Sequence, residues 1–183
     1  IITVSEFSKN EISDIFSIDK NKIHVIPCAP SHSINNVNWE NNSIDSSEKY
    51  ILTVSSMDPR KNFVRLVEAL SKIEDKSIKL YIIGMQFKAF NTPDLQKLIS
   101  ENVVLPGYIS EEELAKRYMN ALFFIYQSLY EGFGMPPLEA MTYGCPVINS
   151  DISALHETSG EAALYTNPMD INDMTTKMDS LIK

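Results

Sequence analysis

From Tyr50 onward the chain alternates short apolar runs with stretches of helical period, and that alternation leaves few folds open. The apolar runs are Tyr50 to Val54, Ile78 to Ile83, Asn102 to Leu105, Leu122 to Tyr126, Cys145 to Ile148 and Ala162 to Tyr165. Between them, Leu66, Val67, Leu70 and Ile73 mark one helical face, and Leu95, Leu98 and Ile99 mark a shorter one that Pro93 can start. Ser110-Glu111-Glu112-Glu113 matches a capping box ahead of Leu114, Tyr118 and Met119. Leu138 to Gly144 reads as a short helix and Ile171 to Ile182 as a terminal one. Strands alternating with helices over short loops predict an α/β fold: a Rossmann-like, mainly parallel sheet with helices on both faces. The runs are apolar throughout, as strands buried on both sides must be. In such a sheet, ligands sit outside the carboxyl ends of the strands. The informative loops are therefore 55–62, 84–91, 106–108, 127–135 and 149–155.

The first 31 residues read differently. Ile1 to Val4 and Lys22 to Ile26 are strand-like, and Ser8-Lys9-Asn10-Glu11 matches a capping box ahead of Ile12, Ile15 and Phe16. This is a βαβ unit with no further strands to join, so residues 1–31 read as the tail of another domain. Residues 32–48 turn rich in Asn, Ser, Asp and Glu and read as a linker or loop. Residues 49–183 then form the second domain. The chain starts at Ile1 without a Met and reads as a fragment of something longer.

Charge and composition exclude several classes. A net charge of −8 argues against a nucleic-acid partner, though not against the phosphate of a small ligand. No run approaches the roughly 20 apolar residues of a membrane span, and a cytoplasmic location is expected. Cys28 and Cys145 lie far apart among apolar neighbours and read as buried, reduced thiols. His24, His32 and His156 show no metal-ligand spacing.

The chemistry concentrates in Glu131-Gly132-Phe133-Gly134-Met135-Pro136-Pro137-Leu138-Glu139, which crosses from a strand to a helix. Proline is tolerated in a first turn, and Gly144 suits the position after the helix. A helix start aims N–H groups and a positive dipole end at an anion. Two carboxylates beside an anion make sense if the ligand also carries hydroxyls. Pro136 and Pro137 have no N–H, so a phosphate must use the amides of Gly132, Phe133, Gly134 and Met135, or of Leu138 and Glu139. Asp58-Pro59-Arg60-Lys61-Asn62 puts two cations on the same edge. Alone, that reads as a solvated basic loop; beside the Glu131 stretch, Lys61 as a point charge and Arg60 as a fork suit a diphosphate. Pro106-Gly107-Tyr108 can bring backbone close to a flat base, or be an ordinary turn. Asn149 to Ser153 can cap the next helix or reach the ligand, and capping is the favoured reading; His156 and Glu157 are weak candidates.

These residues together resemble a known family. Glu131 to Glu139 matches the E-x7-E motif of retaining glycosyltransferases of the GT-B fold, family 4. The match extends through Ser128-Leu129-Tyr130, Gly144-Cys145-Pro146-Val147-Ile148, Asp58 to Asn62, and Pro106 to Ser110. Thr3-Val4-Ser5-Glu6-Phe7-Ser8-Lys9 resembles the end of that family's N-terminal acceptor domain. The resemblance implies the C-terminal, donor-binding half of a GT-B fold, with a nucleotide-diphosphate sugar as donor substrate and neither cofactor nor metal. It implies that Glu131 binds sugar hydroxyls and Glu139 the ribose, while Lys61 with Arg60 holds the leaving diphosphate. The amides of Gly132, Phe133, Gly134 and Met135 would meet sugar and phosphate, with Leu138 nearby, and Pro106, Gly107 and Tyr108 would frame the base. Surface polysaccharide or glycolipid synthesis is the implied setting. The acceptor would be held by the missing N-terminal domain, membrane contact would belong to the full-length protein, and this fragment would bind donor without turnover. Ser55-Ser56-Met57 departs from relatives that carry glycine there, which shifts phosphate binding onto Arg60 and Lys61. Ile26 to Pro30 departs from a common Asn-Gly. A nucleotide-sugar epimerase or phosphorylase of similar fold, or a non-catalytic Rossmann-like module, remains open.

Overall fold

The computed structural model describes residues 1–30, 48–56, 58–84 and 101–182. Residues 32–47 of the expected linker, and the expected helix over Leu95 to Ile99, lie outside the described residues. Six parallel strands form the main sheet: β3 (Tyr50–Val54), β4 (Lys79–Ile83), β5 (Val103–Gly107), β6 (Phe123–Tyr126), β7 (Val147–Ser150) and β8 (Leu164–Thr166). They lie in the order β5-β4-β3-β6-β7-β8. Counted from β3 this is the order 3-2-1-4-5-6, and the direction of winding reverses between β3 and β6.

Side chains alternate across each strand, and each face meets its own helices. One face carries Ile51, Leu80, Ile82, Phe123, Ile125 and Ile148. It is covered by α2 (Phe63–Lys72), through Leu66, Val67 and Leu70, and by α6 (Ile171–Ile182), through Met174 and Met178. The other face carries Tyr50, Leu52, Tyr81, Ile83, Phe124, Tyr126 and Val147. It is covered by Tyr118 of α3 (Glu111–Asn120), Ala140 of α4 (Met135–Thr142) and Leu155 of α5 (Ser153–Ser159). Burying each large side chain is worth ~1.5–3 kcal/mol, so this double layer holds the sheet together. The expected α/β architecture with helices on both faces is the one observed.

Local chemistry explains the element ends. Ser110 Oγ accepts from the Glu113 N–H at 3.2 Å, as a helix N-cap does. Gly144 follows α4, with Gly144 N–H donating to Met141 O and Cys145 N–H to Ala140 O, at 3.0 and 3.1 Å: a Schellman ending. β5 runs through Pro106 to Gly107, one residue longer than β4 across the same span. Proline is tolerated there because β5 is an edge strand with a bulge.

The N-terminal β1 (Ile2–Thr3) and β2 (His24–Val25) pair parallel with each other as a separate two-stranded sheet, joined by α1 (Glu6–Phe16). The expected cap at Ser8 is corrected to Ser5, whose Oγ accepts from Ser8 N–H at 2.9 Å. Ser8 itself lies in the first turn, because a serine three residues earlier already satisfies that amide. The expected cap among Asn149 to Ser153 is also corrected: Ile152 is the N-cap and gives no side-chain bond. Asn149 and Ser150 are instead buried at the end of β7. Cys145 is buried, but Cys28 is exposed, because Ile26, Pro27 and Ala29 around it are exposed as well.

Candidate functional site

The loops after β3 and β6 flank the point where the winding reverses. After β3, the Asp58 carboxylate accepts from Arg60 N–H at 2.8 Å and caps a single 3-10 turn, Pro59–Lys61. Asn62 ends that turn in the left-handed region, which asparagine tolerates, and begins α2. Its buried amide donates to Pro168 O at 2.7 Å. Lys61 is thereby fixed between two rigid pieces of backbone. The Leu129 N–H donates to Arg60 O at 2.7 Å and ties the β6 loop to the β3 loop.

Lys61 and Glu131, 70 residues apart in sequence, meet across this seam. Lys61 Nζ donates to Glu131 Oε1 at 2.5 Å and to the Tyr126 hydroxyl at 2.7 Å. Tyr126 OH donates to the same Glu131 oxygen at 2.9 Å, and the ammonium also lies 4.9 Å from the Tyr126 ring centre. Both charged side chains are 14% exposed, so the pair is partly desolvated but still reachable. Burial first, and the Glu131 carboxylate second, push the Tyr126 phenol far above its ordinary value, so it stays a neutral donor. An ammonium has three N–H donors, and two are engaged here. Glu131 Oε2 has no partner among the described residues. The triangle therefore keeps one donor and one carboxylate oxygen for a ligand.

The glycine-rich crossing follows directly. Gly134 is the N-cap of α4, with φ +97°, a conformation open to glycine; a Cβ there would also collide with the Leu155 side chain. No side chain caps this helix. The amides of Gly132, Phe133, Gly134 and Met135 donate to no partner among the described residues. Pro136 and Pro137 have no N–H, so the loop amides, with that of Leu138, are the donors nearest the helix start that a ligand could use.

The remaining candidates are distributed around this centre. Glu139 sits on α4, where its carboxylate accepts from Tyr118 OH at 3.2 Å. It lines a cleft of about 170 Å³ with Glu111, Leu114, Tyr118 and Tyr143. Glu131 lines a different cleft of about 420 Å³ with Phe7, Tyr130, Asp151 and His156. The two glutamates thus face different hollows. The Arg60 guanidinium folds back onto Asp58 at 2.9 and 3.1 Å and is largely exposed. Its hydrogen bonds hold the Asp58 carboxyl below the usual range. Pro106, Gly107 and Tyr108 lie at the end of edge strand β5, with Tyr108 exposed and Gly107 O accepting from Gly84 N–H at 3.0 Å. Among the described residues, no three His, Cys, Asp or Glu side chains gather where they could hold a metal ion. No helix among those residues is long and apolar enough to cross a membrane.

Sequence reasoning missed Tyr126, Ser5, Ser8 and Glu157. Tyr126 had a signal: it is the one hydroxyl-bearing residue of an otherwise apolar strand end, five residues before Glu131. Glu157 had none, since its partners are the Glu6 and Phe7 amides, some 150 residues away.

Comparison with known proteins points one way. The family model described as Glycosyl transferases group 1 matches residues 36–183. The chain is 30% identical over 192 residues to O-antigen chain mannosyltransferase B of Escherichia coli, covering 94% of this chain and 48% of that protein. It is 33% identical over 177 residues to O-antigen chain mannosyltransferase RfbU of Salmonella typhimurium, covering 93% and 47%. The chain thus spans about half the length of the curated relatives it matches. Sucrose-phosphate synthase of Thermosynechococcus elongatus superposes with a TM-score of 0.77 at 25% identity, over 99% of this chain and 48% of that one. Anabaena HepE, solved with UDP and glucose, gives 0.82 at 16%, over 100% and 53%, a likeness of fold. By the family match over residues 36–183, this chain belongs to the glycosyl transferases group 1 family.

Proposed function

We propose that this chain is the donor-binding part of a retaining glycosyltransferase that takes its sugar from a nucleotide-diphosphate sugar. One observation carries the reading: the Lys61–Tyr126–Glu131 triangle sits at the winding reversal and leaves one N–H and one carboxylate oxygen unspent. The free Lys61 proton meets a diphosphate oxygen, and Glu131 Oε2 accepts from a sugar hydroxyl. The loop amides of Gly132 to Met135 supply further donors at the positive end of α4. As the glycosidic bond breaks, charge grows on the leaving diphosphate, and Lys61 with these amides stabilises it. Glu139 accepts from the ribose, Arg60 swings from Asp58 to the phosphates, and Pro106 to Tyr108 frame the base. The relatives' names make a mannose donor, and a surface polysaccharide as product, the first candidates.

Calorimetry of this chain with GDP, UDP, GDP-mannose and UDP-glucose tests the reading. One nucleotide series should bind, and Lys61→Ala should weaken that binding with folding unchanged. In the full-length enzyme the same change should cost about 2–4 kcal/mol of transition-state stabilisation, read from kcat/KM. A folded chain that binds none of the four at millimolar concentration would refute the proposal.

A further inference from the structure

Among the described residues, the N-terminal unit hydrogen-bonds to the glycine-rich crossing at a single carbonyl. Ser5 Oγ and Ser8 Oγ both donate to Gly132 O, at 2.5 and 3.0 Å. Ser5 is fully buried, and its oxygen also accepts from Ser8 N–H as the N-cap of α1. The next two amides, Glu6 and Phe7, donate to the two oxygens of Glu157 on α5, at 2.6 and 3.0 Å. The Phe7 ring meets Tyr130 edge-on with 5.7 Å between centroids, and Tyr130 OH donates to Glu11 at 3.2 Å. The start of α1 is therefore fastened to α5 on one side and to the loop after Glu131 on the other.

Geometry turns that fastening into a direction. In a planar trans peptide the C=O and N–H point opposite ways, and the Gly132–Phe133 peptide is trans. Holding Gly132 O against α1 makes the Phe133 N–H point away from α1. That N–H has no partner among the described residues, although Phe133 is buried. A Cβ on residue 132 would stand 3.2 Å from Ser8 Oγ, closer than the hydroxyl tolerates without shifting. We propose that Ser5 and Ser8 are positioning residues: they set the Gly132–Phe133 peptide so that its N–H serves the ligand's phosphate, a role that rests on the nucleotide-diphosphate reading above. The N-terminal unit then acts on donor binding through hydrogen bonds, without touching the donor.

The test compares native protein with Ser8→Ala, Ser8→Thr and Ser5→Ala/Ser8→Ala. Ser8→Ala removes one bond to Gly132 and leaves the Ser5 cap in place, which separates positioning from helix capping. Two quantities are read: 15N relaxation of the Phe133 and Gly134 amides without ligand, and affinity for the nucleotide diphosphate that the native chain binds. Loop amides should become more mobile in Ser8→Ala and most mobile in the double variant, while amides of β3 and β6 stay as they were. Affinity should fall about tenfold in the double variant, the factor that ~1.4 kcal/mol represents. Ser8→Thr, which keeps the hydroxyl, should restore both. Unchanged loop relaxation in a folded double variant would overturn the proposal, as would unchanged affinity. If the native chain binds no nucleotide, the donor-site reading fails and, with it, the ligand role of this peptide, while relaxation alone still reports whether the serines order the loop.

Discussion

A buried phenol next to a carboxylate holds its proton hard, and Tyr118, Tyr126 and, beside Glu48, Tyr81 all stand so among the described residues. Tyr126 faces Glu131 and Tyr118 faces Glu139; in both, burial raises the phenol most and the carboxylate raises it further. A proton held more tightly in the folded state stabilises it below the unfolded tyrosine value near ~10, and that stability is lost as pH rises beyond it. Tyrosinate absorbance followed through an alkaline titration tests this. Absorbance from Tyr118 and Tyr126 should appear only together with loss of circular dichroism. Early ionisation of every tyrosine in a folded chain would contradict the triangle. The thiols divide in the same way: burial pushes Cys145 up to about 12, whereas Cys28 is exposed. A disulfide reagent at neutral pH should label Cys28 quickly and leave Cys145 unlabelled until unfolding.

The elements meet most tightly at the carboxyl ends of β3 and β4. Ser55 N–H donates to Ile83 O at 2.9 Å, and Gly84 then passes so close that a Cβ there would overlap the Ser55 carbonyl. Backbone, not a movable side chain, is the obstacle. Gly84→Ala should cost ~2 kcal/mol or more, seen as a fall in Tm of about 4–8 °C. A neutral result would mean that the loop leading to Lys61 is less constrained than this packing requires. Helix α4 shows the opposite strategy: two prolines in its first turn remove N–H groups that the helix's own ladder does not use, and no side chain caps the helix start.

At the scale of the whole molecule, a ligand bound at the winding reversal bridges the two halves of the sheet, through Lys61 after β3 and the loop after β6. Binding only the folded state at 100 times Kd adds about 2.7 kcal/mol, or roughly 5–10 °C in Tm for a chain of this size. The nucleotide that calorimetry selects should produce that shift, and Lys61→Ala at the same ligand concentration should abolish most of it. A shift of the same size in Lys61→Ala would move the binding site elsewhere on the molecule.

The layers are legible in the residues alone. Strands apolar on both sides call for helices on both faces, and periods of 2.0 and 3.6 are local properties that survive without knowledge of partners. The terminal helix, the first strand of the main sheet and the helix that opens on the proline pair are legible for that reason. Which strand ends become neighbours is set by the packing of the whole sheet. Lys61 meets Glu131 because β3 lies beside β6, although β4 and β5 intervene in the chain. Tyr126 becomes their shared partner, and Gly132 falls beneath two serines more than 120 residues away. Such contacts depend on strand order and on one peptide's orientation, and no local pattern of residues encodes either.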